Sequence, residues 1–214
     1  MNASAPVASG LSFIHIPKNA GTSVKQAIAD NRLPIRVTGH PYPAKLSDEE
    51  IVVLRDPADR FISAFNYGRK YWPNQVNQRF ADVNELAVGA GDPDHPMHAL
   101  ALVELGNRPE HYLQRSGRRG VPHTVAGRII DFTYAYEPQS SWLFNLPAHL
   151  LRFRHLQVDF RALVESFGFS GAFDLPVVNS NGLDRPPLSE AARAFIERTY
   201  AADYEFIRMH ALDV

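Results

Sequence analysis

The chain has 214 residues, a net charge of −1 with histidines neutral, 45% hydrophobic and 21% charged residues, and no cysteine. Such a length buries the core of one domain, and so even a charge balance argues against general nucleic-acid binding while leaving room for a local basic pocket. Disulfides and thiolate chemistry are excluded, and no apolar run approaches the ~20 residues that span a bilayer.

Residues 1–10, MNASAPVASG, are small and polar and lack the basic start and long apolar core of a signal peptide. They read as a disordered lead-in to a single domain over 11–214, expected to be soluble and cytoplasmic. Leu11, Phe13, Ile14 and Ile16 form a short β-prone run suited to one strand of a parallel sheet, and Pro17 should stop it. Lys18, Asn19, Ala20 and Gly21 then make a turn in which Gly21 supplies the tight position, and Thr22 and Ser23 cap a helix over Val24–Ala29. A Lys-bearing turn running into a hydroxyl-capped helix is suited to an anion, phosphate or sulfate alike. Read alone, it is also compatible with an ordinary strand–turn–helix carrying a surface lysine.

Ile35–Thr38 reads as a second short strand ending in the turn-rich Gly39–Pro43, and Glu50–Leu54 as a buried strand. Asp56 and Pro57 suit the N-cap and first position of a helix that continues to at least Tyr67. Residues 71–96 read as an irregular excursion with one helical piece, followed by helices at His98–Leu105 and Pro109–Arg115. Asp92, Asp94, His95 and His98 are metal-ligand types, but the prolines among them break any regular ligand spacing, and a solvated loop is the simpler reading. Thr133–Tyr136 is expected as a strand, Gln139 to Phe144 as a helix, Leu150–Phe153 as a buried strand and Val158–Phe167 as a helix. Ser189 should cap one long helix ending at His210. Strands alternating with helices predict an α/β fold with a mostly parallel central sheet flanked by helices, and ligand-binding loops at one sheet edge near Lys18, His40 and Arg55.

Two segments taken together, HIPKNAGTS (His15–Ser23) and LRDPADRFISAFNY (Leu54–Tyr67), resemble the two nucleotide-gripping motifs of PAPS-dependent sulfotransferases. The likeness is to the carbohydrate branch, of heparan and chondroitin type, with its PKxGGTS-like loop and RDPxxRxxSxY/F motif. Arg55, Asp56, Pro57, Arg60, Ser63 and Phe65 match the second motif, with eight residues from Arg55 to Ser63. Glu137-Pro138-Gln139 with Trp142-Leu143, the LRFRHLQVDFRAL segment and the closing helix extend the likeness, and 71–127 is a divergent, acceptor-side insert. Asn19-Ala20 departs from the Thr-Gly or Thr-Ala usual there.

The resemblance implies a P-loop-like three-layer fold and a donor, 3′-phosphoadenosine 5′-phosphosulfate (PAPS), that leaves as PAP, with no metal. It implies that Lys18 meets the charge developing on the bridging oxygen, and that Asn19, Ala20, Gly21, Thr22 and Ser23 hold the 5′-phosphate. Arg55 and Ser63 would grip the 3′-phosphate, Ser180 would come from a loop closing over the nucleotide, and His40 would deprotonate the acceptor hydroxyl. The acceptor is expected to be a carbohydrate or another small hydroxyl compound. Arg60 suits either an ion pair or a ligand contact, and His15, inside the strand, reads as a core histidine. Tyr71 and Trp72 could stack on an acceptor ring. A P-loop kinase is disfavoured because Lys18 precedes the glycine and no GxxxxGK[ST] is present; a nucleotide-binding protein without catalysis is the other alternative.

Overall fold

The first strand, β1 (Leu11–Ile14), is buried along its whole length and lies inside an all-parallel four-stranded sheet with β2 (Arg36–Val37), β3 (Glu49–Leu54) and β6 (His149–Arg152) in the order β2-β1-β3-β6. This computed structural model describes residues 10–38, 49–71, 76–105, 124–125, 128–129, 133–143, 149–171, 173–176 and 186–214. The register sets Ile14 beside Val52, and Leu54 beside Arg152. Seven α-helices lie among the described residues: α1 (Gly21–Asp30), α2 (Pro57–Tyr71), α3 (Val83–Gly91), α4 (His98–Glu104), α5 (Leu156–Ser166), α6 (Glu190–Thr199) and α7 (Ala201–Met209). A short antiparallel pair, β4 (Thr124–Val125) and β5 (Arg128–Ile129), stands apart from the main sheet.

The chain divides into two compact units. The first comprises residues 1–56, 139–180 and 205–214, and the second residues 57–138 and 181–204. In the first unit the period-2 alternation of the strands sorts their side chains onto two buried faces, which is why the strands read as continuous apolar runs. Leu11, Phe13, Ile51, Val53 and Leu151 pack with Val24, Ala27 and Ile28 of α1 and Phe160, Leu163 and Val164 of α5. Ile14, Val52 and Leu54 pack on the opposite face with Trp142, Phe206, Ile207 and Val214. The sheet therefore carries a layer on each side.

The second unit has its own core, built from Phe61, Ile62 and Phe65 of α2, Leu86 and Ala87 of α3, and Ala192 and Ile196 of α6, with Tyr136 and Tyr200. Ser189 caps α6 by accepting from the Ala192 N–H at 3.2 Å, as its sequence position predicts. The expected single closing helix is instead two, α6 and α7, broken at Tyr200 (φ −108°, ψ 25°). The break coincides with a buried anchor: the Tyr200 hydroxyl donates to the Tyr136 carbonyl at 2.6 Å. That bond also accounts for a second departure, since Thr133–Tyr136 is a 3₁₀ turn and not a strand. The Tyr136 hydroxyl in turn donates to Glu104 at 3.2 Å, and burial raises the phenol pKa of both tyrosines.

Arg60 lies in this second core with 1% exposure and donates to the Glu137 carbonyl at 2.6 Å, so a surface ion pair is ruled out for it. The Asp92–His98 stretch is a turn closed by its own polar groups. Asp92 accepts from the Asp94 N–H, His95 Nδ1 accepts from the Met97 N–H, and His98 Nδ1 lies 2.8 Å from the Gly89 carbonyl. Residues 109–115, expected as a helix, lie outside the described residues.

Candidate functional site

Strand order fixes where a site belongs. From β1 the chain moves outward to β2; from β3 the next strand of the sheet is β6, on the other side. The carboxyl ends of the adjacent strands β1 and β3 thus flank the point where connections diverge, the position at which open parallel sheets form a ligand crevice. The loops leaving these two ends carry Lys18 and Arg55.

The β1 exit is shaped residue by residue. Pro17 has no N–H to extend the ladder, and the chain turns with the Ile16 N–H donating to the Ile14 carbonyl at 3.0 Å. Lys18 (φ 67°) and Ala20 (φ 56°) both take the left-handed conformation. The tight positions therefore belong to Lys18 and Ala20, not to Gly21 as the sequence suggested. The helix α1 starts at Gly21, earlier than expected. Thr22 and Ser23 are inside its first turn and do not cap it, and the N-cap, Ala20, makes no side-chain bond. The first intrahelical bond is from the Val24 N–H to the Ala20 carbonyl at 3.2 Å, so the amides of Gly21, Thr22 and Ser23 are those for which a helix provides no internal acceptor. Thr22 is exposed and Ser23 buried.

Asn19 is 1% exposed, and its side chain faces protein. Its Nδ2 donates to the Val53 carbonyl at 2.7 Å and to Gln139 Oε1 at 2.5 Å, while its own Oδ1 is buried without a hydrogen-bond partner. Gln139 Oε1 also accepts the Arg55 N–H at 3.1 Å, and Gln139 Nε2 donates to the Arg55 carbonyl at 2.8 Å. Arg55, 5% exposed, donates from Nη1 to the Lys18 carbonyl at 3.0 Å, and its guanidinium lies 4.2 Å from the ring centroid of Phe153. Lys18, Asn19 and Arg55 are thus brought together, joined by Gln139 and Phe153, which motif reading did not single out as site residues. The signal for them was present in the Pro-Gln dipeptide and in the LLRF strand exit.

On the β2 side, Thr38 follows the strand and joins it to β1. Its N–H and hydroxyl both donate to the Phe13 carbonyl, at 3.0 and 3.2 Å, and its Oγ1 accepts the His15 N–H at 3.3 Å. His40, two residues on, lies outside the described residues, as do Ser180 and Trp72. Ser63 is half-buried in α2 of the second unit. In the same helix the rings of Tyr67 and Tyr71 lie 4.5 Å apart, and Tyr71 is 41% exposed.

Among the described residues no three His, Asp or Glu side chains gather as a metal site would require, and no helix is long and apolar enough to cross a membrane. Comparison with protein-family models, with curated proteins and with solved structures returned no match to the chain.

Proposed function

We propose that this chain is a PAPS-dependent sulfotransferase with a P-loop-like nucleotide cradle, moving the sulfuryl group to a hydroxyl of a carbohydrate or other small acceptor. The observation that carries the reading is the direct bond from Arg55 Nη1 to the Lys18 carbonyl, which joins two motifs 37 residues apart at the switch point of the sheet. Pairing of β1 with β3 brings the two loops side by side, and this bond fixes their separation, as two grips on one nucleotide need.

In this reading the first-turn amides of α1 and its positive dipole end hold the 5′-phosphate. The Lys18 ammonium stabilises the negative charge that grows on the bridging oxygen as the S–O bond breaks. Arg55 provides a planar, permanently charged donor set for the 3′-phosphate, and Ser63 takes the short-donor role that the motif gives it. His40 is the base that takes the acceptor proton, and Ser180 belongs to the loop over the nucleotide. The protein is taken to act in the cytoplasm.

The test is transfer of ³⁵S from labelled PAPS into small molecules and glycans of a cell extract, followed by identification of the labelled product. Label appearing with the wild-type chain and absent with Lys18→Ala supports the reading. PAP binding with no acceptor consumed would favour a nucleotide-binding protein without catalysis.

A further inference from the structure

Lys18, Asn19, Gln139 and Arg55 form a closed circuit. Asn19 donates to Gln139, the Gln139 amide brackets the Arg55 peptide groups, and the Arg55 side chain returns to the carbonyl of Lys18, the covalent neighbour of Asn19. Each joint has one possible sense. The Arg55 N–H can only donate and the Arg55 carbonyl can only accept, which fixes Oε1 and Nε2 of Gln139. Oε1 then faces Asn19 as an acceptor, and so does the Val53 carbonyl, which fixes Nδ2 of Asn19 between them. No amide in the circuit can be turned over without placing donor on donor or acceptor on acceptor.

What the circuit holds is an uphill conformation. Lys18 at φ 67° is a non-glycine residue in the left-handed region, a state that persists only where its surroundings enforce it. If Lys18 relaxed to an extended conformation, its Cα–Cβ direction would change, and with it the direction in which the ammonium is delivered. Three bonds oppose that relaxation: one on the Lys18 carbonyl and two from Asn19 Nδ2, to the Val53 carbonyl and to Gln139. The first and the last lead to Gln139, which is 1% exposed. We infer that Gln139 is a positioning residue: without touching the ligand, it holds Lys18 in its left-handed conformation and so sets where the ammonium meets the nucleotide. This inference rests on the reading of the loop as a PAP(S) cradle.

A mere brace at the end of β3 would be needed for stability alone, and its loss would not depend on what stands at position 18. PAP binding by calorimetry, on wild type, Gln139→Met, Lys18→Ala and the double variant, separates the two, provided that each variant shows a cooperative melt above the assay temperature. Gln139→Met is expected to weaken PAP by about tenfold, and in the Lys18→Ala background the same substitution should cost about threefold or less, because residues in one network are not additive. Asn19→Ala cuts the circuit at its next joint and is expected to show the same shrinkage; it decides the matter if Gln139→Met does not fold. Wild-type affinity in Gln139→Met, or a loss of equal size with and without Lys18, overturns the inference and leaves the sulfotransferase reading standing. A wild-type chain that binds no PAP overturns that reading, and the inference with it.

Discussion

The imidazole of His15 occupies the space that any side chain at position 21 would need: a Cβ built on Gly21 would lie 1.7 Å from Cδ2 and 2.0 Å from Nε2 of His15. The ring is buried and stacked against Phe13, with centroids 6.2 Å apart and an interplanar angle of 22°. To make room, the ring would have to give up this buried, stacked position. Gly21→Ala is therefore predicted to destabilise the protein by about 3 kcal/mol, the scale of overpacking in a closed interior. The readout is the urea midpoint at unchanged m-value. Adding His15→Ala to that variant should restore part of the loss, and a wild-type midpoint for Gly21→Ala alone would show that the ring yields freely.

Ala20, at φ 56°, carries the left-handed N-cap of α1 on a residue with a Cβ. That conformation costs an L-residue roughly 1–2 kcal/mol, part of which glycine would relieve and part of which its freer unfolded chain would take back. Ala20→Gly should raise stability by up to about 1 kcal/mol in urea unfolding. Lys18→Gly relieves the same kind of strain but removes the ammonium, so stability and sulfuryl transfer are expected to move in opposite directions. If Lys18→Gly lowers both, contacts of the lysine side chain outweigh the backbone strain.

What could be read from the sequence was local. β1 and β3 are apolar runs, the first ending at Ile14, three residues short of Pro17, the second ended by Arg55-Asp56-Pro57, and Ser189 sits one residue ahead of the helix it caps, so neighbouring residues suffice to find them. The Thr133–Tyr136 turn was not legible, because its aromatic pattern suits a strand and its real determinants are a bond to Tyr200 64 residues away and one to Glu104. The apolar period of α6 runs on into α7 unbroken, so nothing nearby marks the interruption at Tyr200. The role of Gln139 depends on partners 84 and 120 residues distant. Gly21 was legible as necessary, but for a different reason: a flexible turn and a space filled by His15 leave the same letter in the sequence.

Arg55 has two duties in the proposed site, and one variant can tell them apart. Its guanidinium stacks on Phe153 and holds the Lys18 carbonyl, so Arg55→Ala should lower stability as well as nucleotide affinity. The 3′-phosphate assignment requires more: PAP should weaken by about 1.5–3 kcal/mol, the range of a charged hydrogen bond, while adenosine 5′-phosphate, which lacks that phosphate, changes far less. Both affinities are measured on the same folded variant. Equal losses for the two nucleotides would sink the assignment and leave Arg55 as a support for Lys18.

The strand that delivers Phe153 to Arg55 is closed by a pair with a definite pH signature. The Arg152 backbone N–H and Nε both donate to Asp159 Oδ2 at 2.9 Å, and Nη2 donates to Oδ1 at 2.6 Å, joining the end of β6 to the first turn of α5. The Arg152 side-chain bonds hold the Asp159 carboxyl below the usual range, outweighing partial burial, which acts the other way. A carboxylate depressed by folding contributes stability that is fully present above its unfolded pKa and is lost as pH falls through the folded value. The contribution should thus be complete from about pH 5 upward and fade in stronger acid. Asp159→Asn, which keeps the shape but not the charge, is predicted to be less stable than wild type at pH 7, with the gap narrowing as pH drops through the carboxylate range. Urea midpoints of both proteins across pH 3 to 7 test this, and a gap that stays constant with pH would mean that packing, not the ion pair, fastens β6 to α5 beneath Arg55.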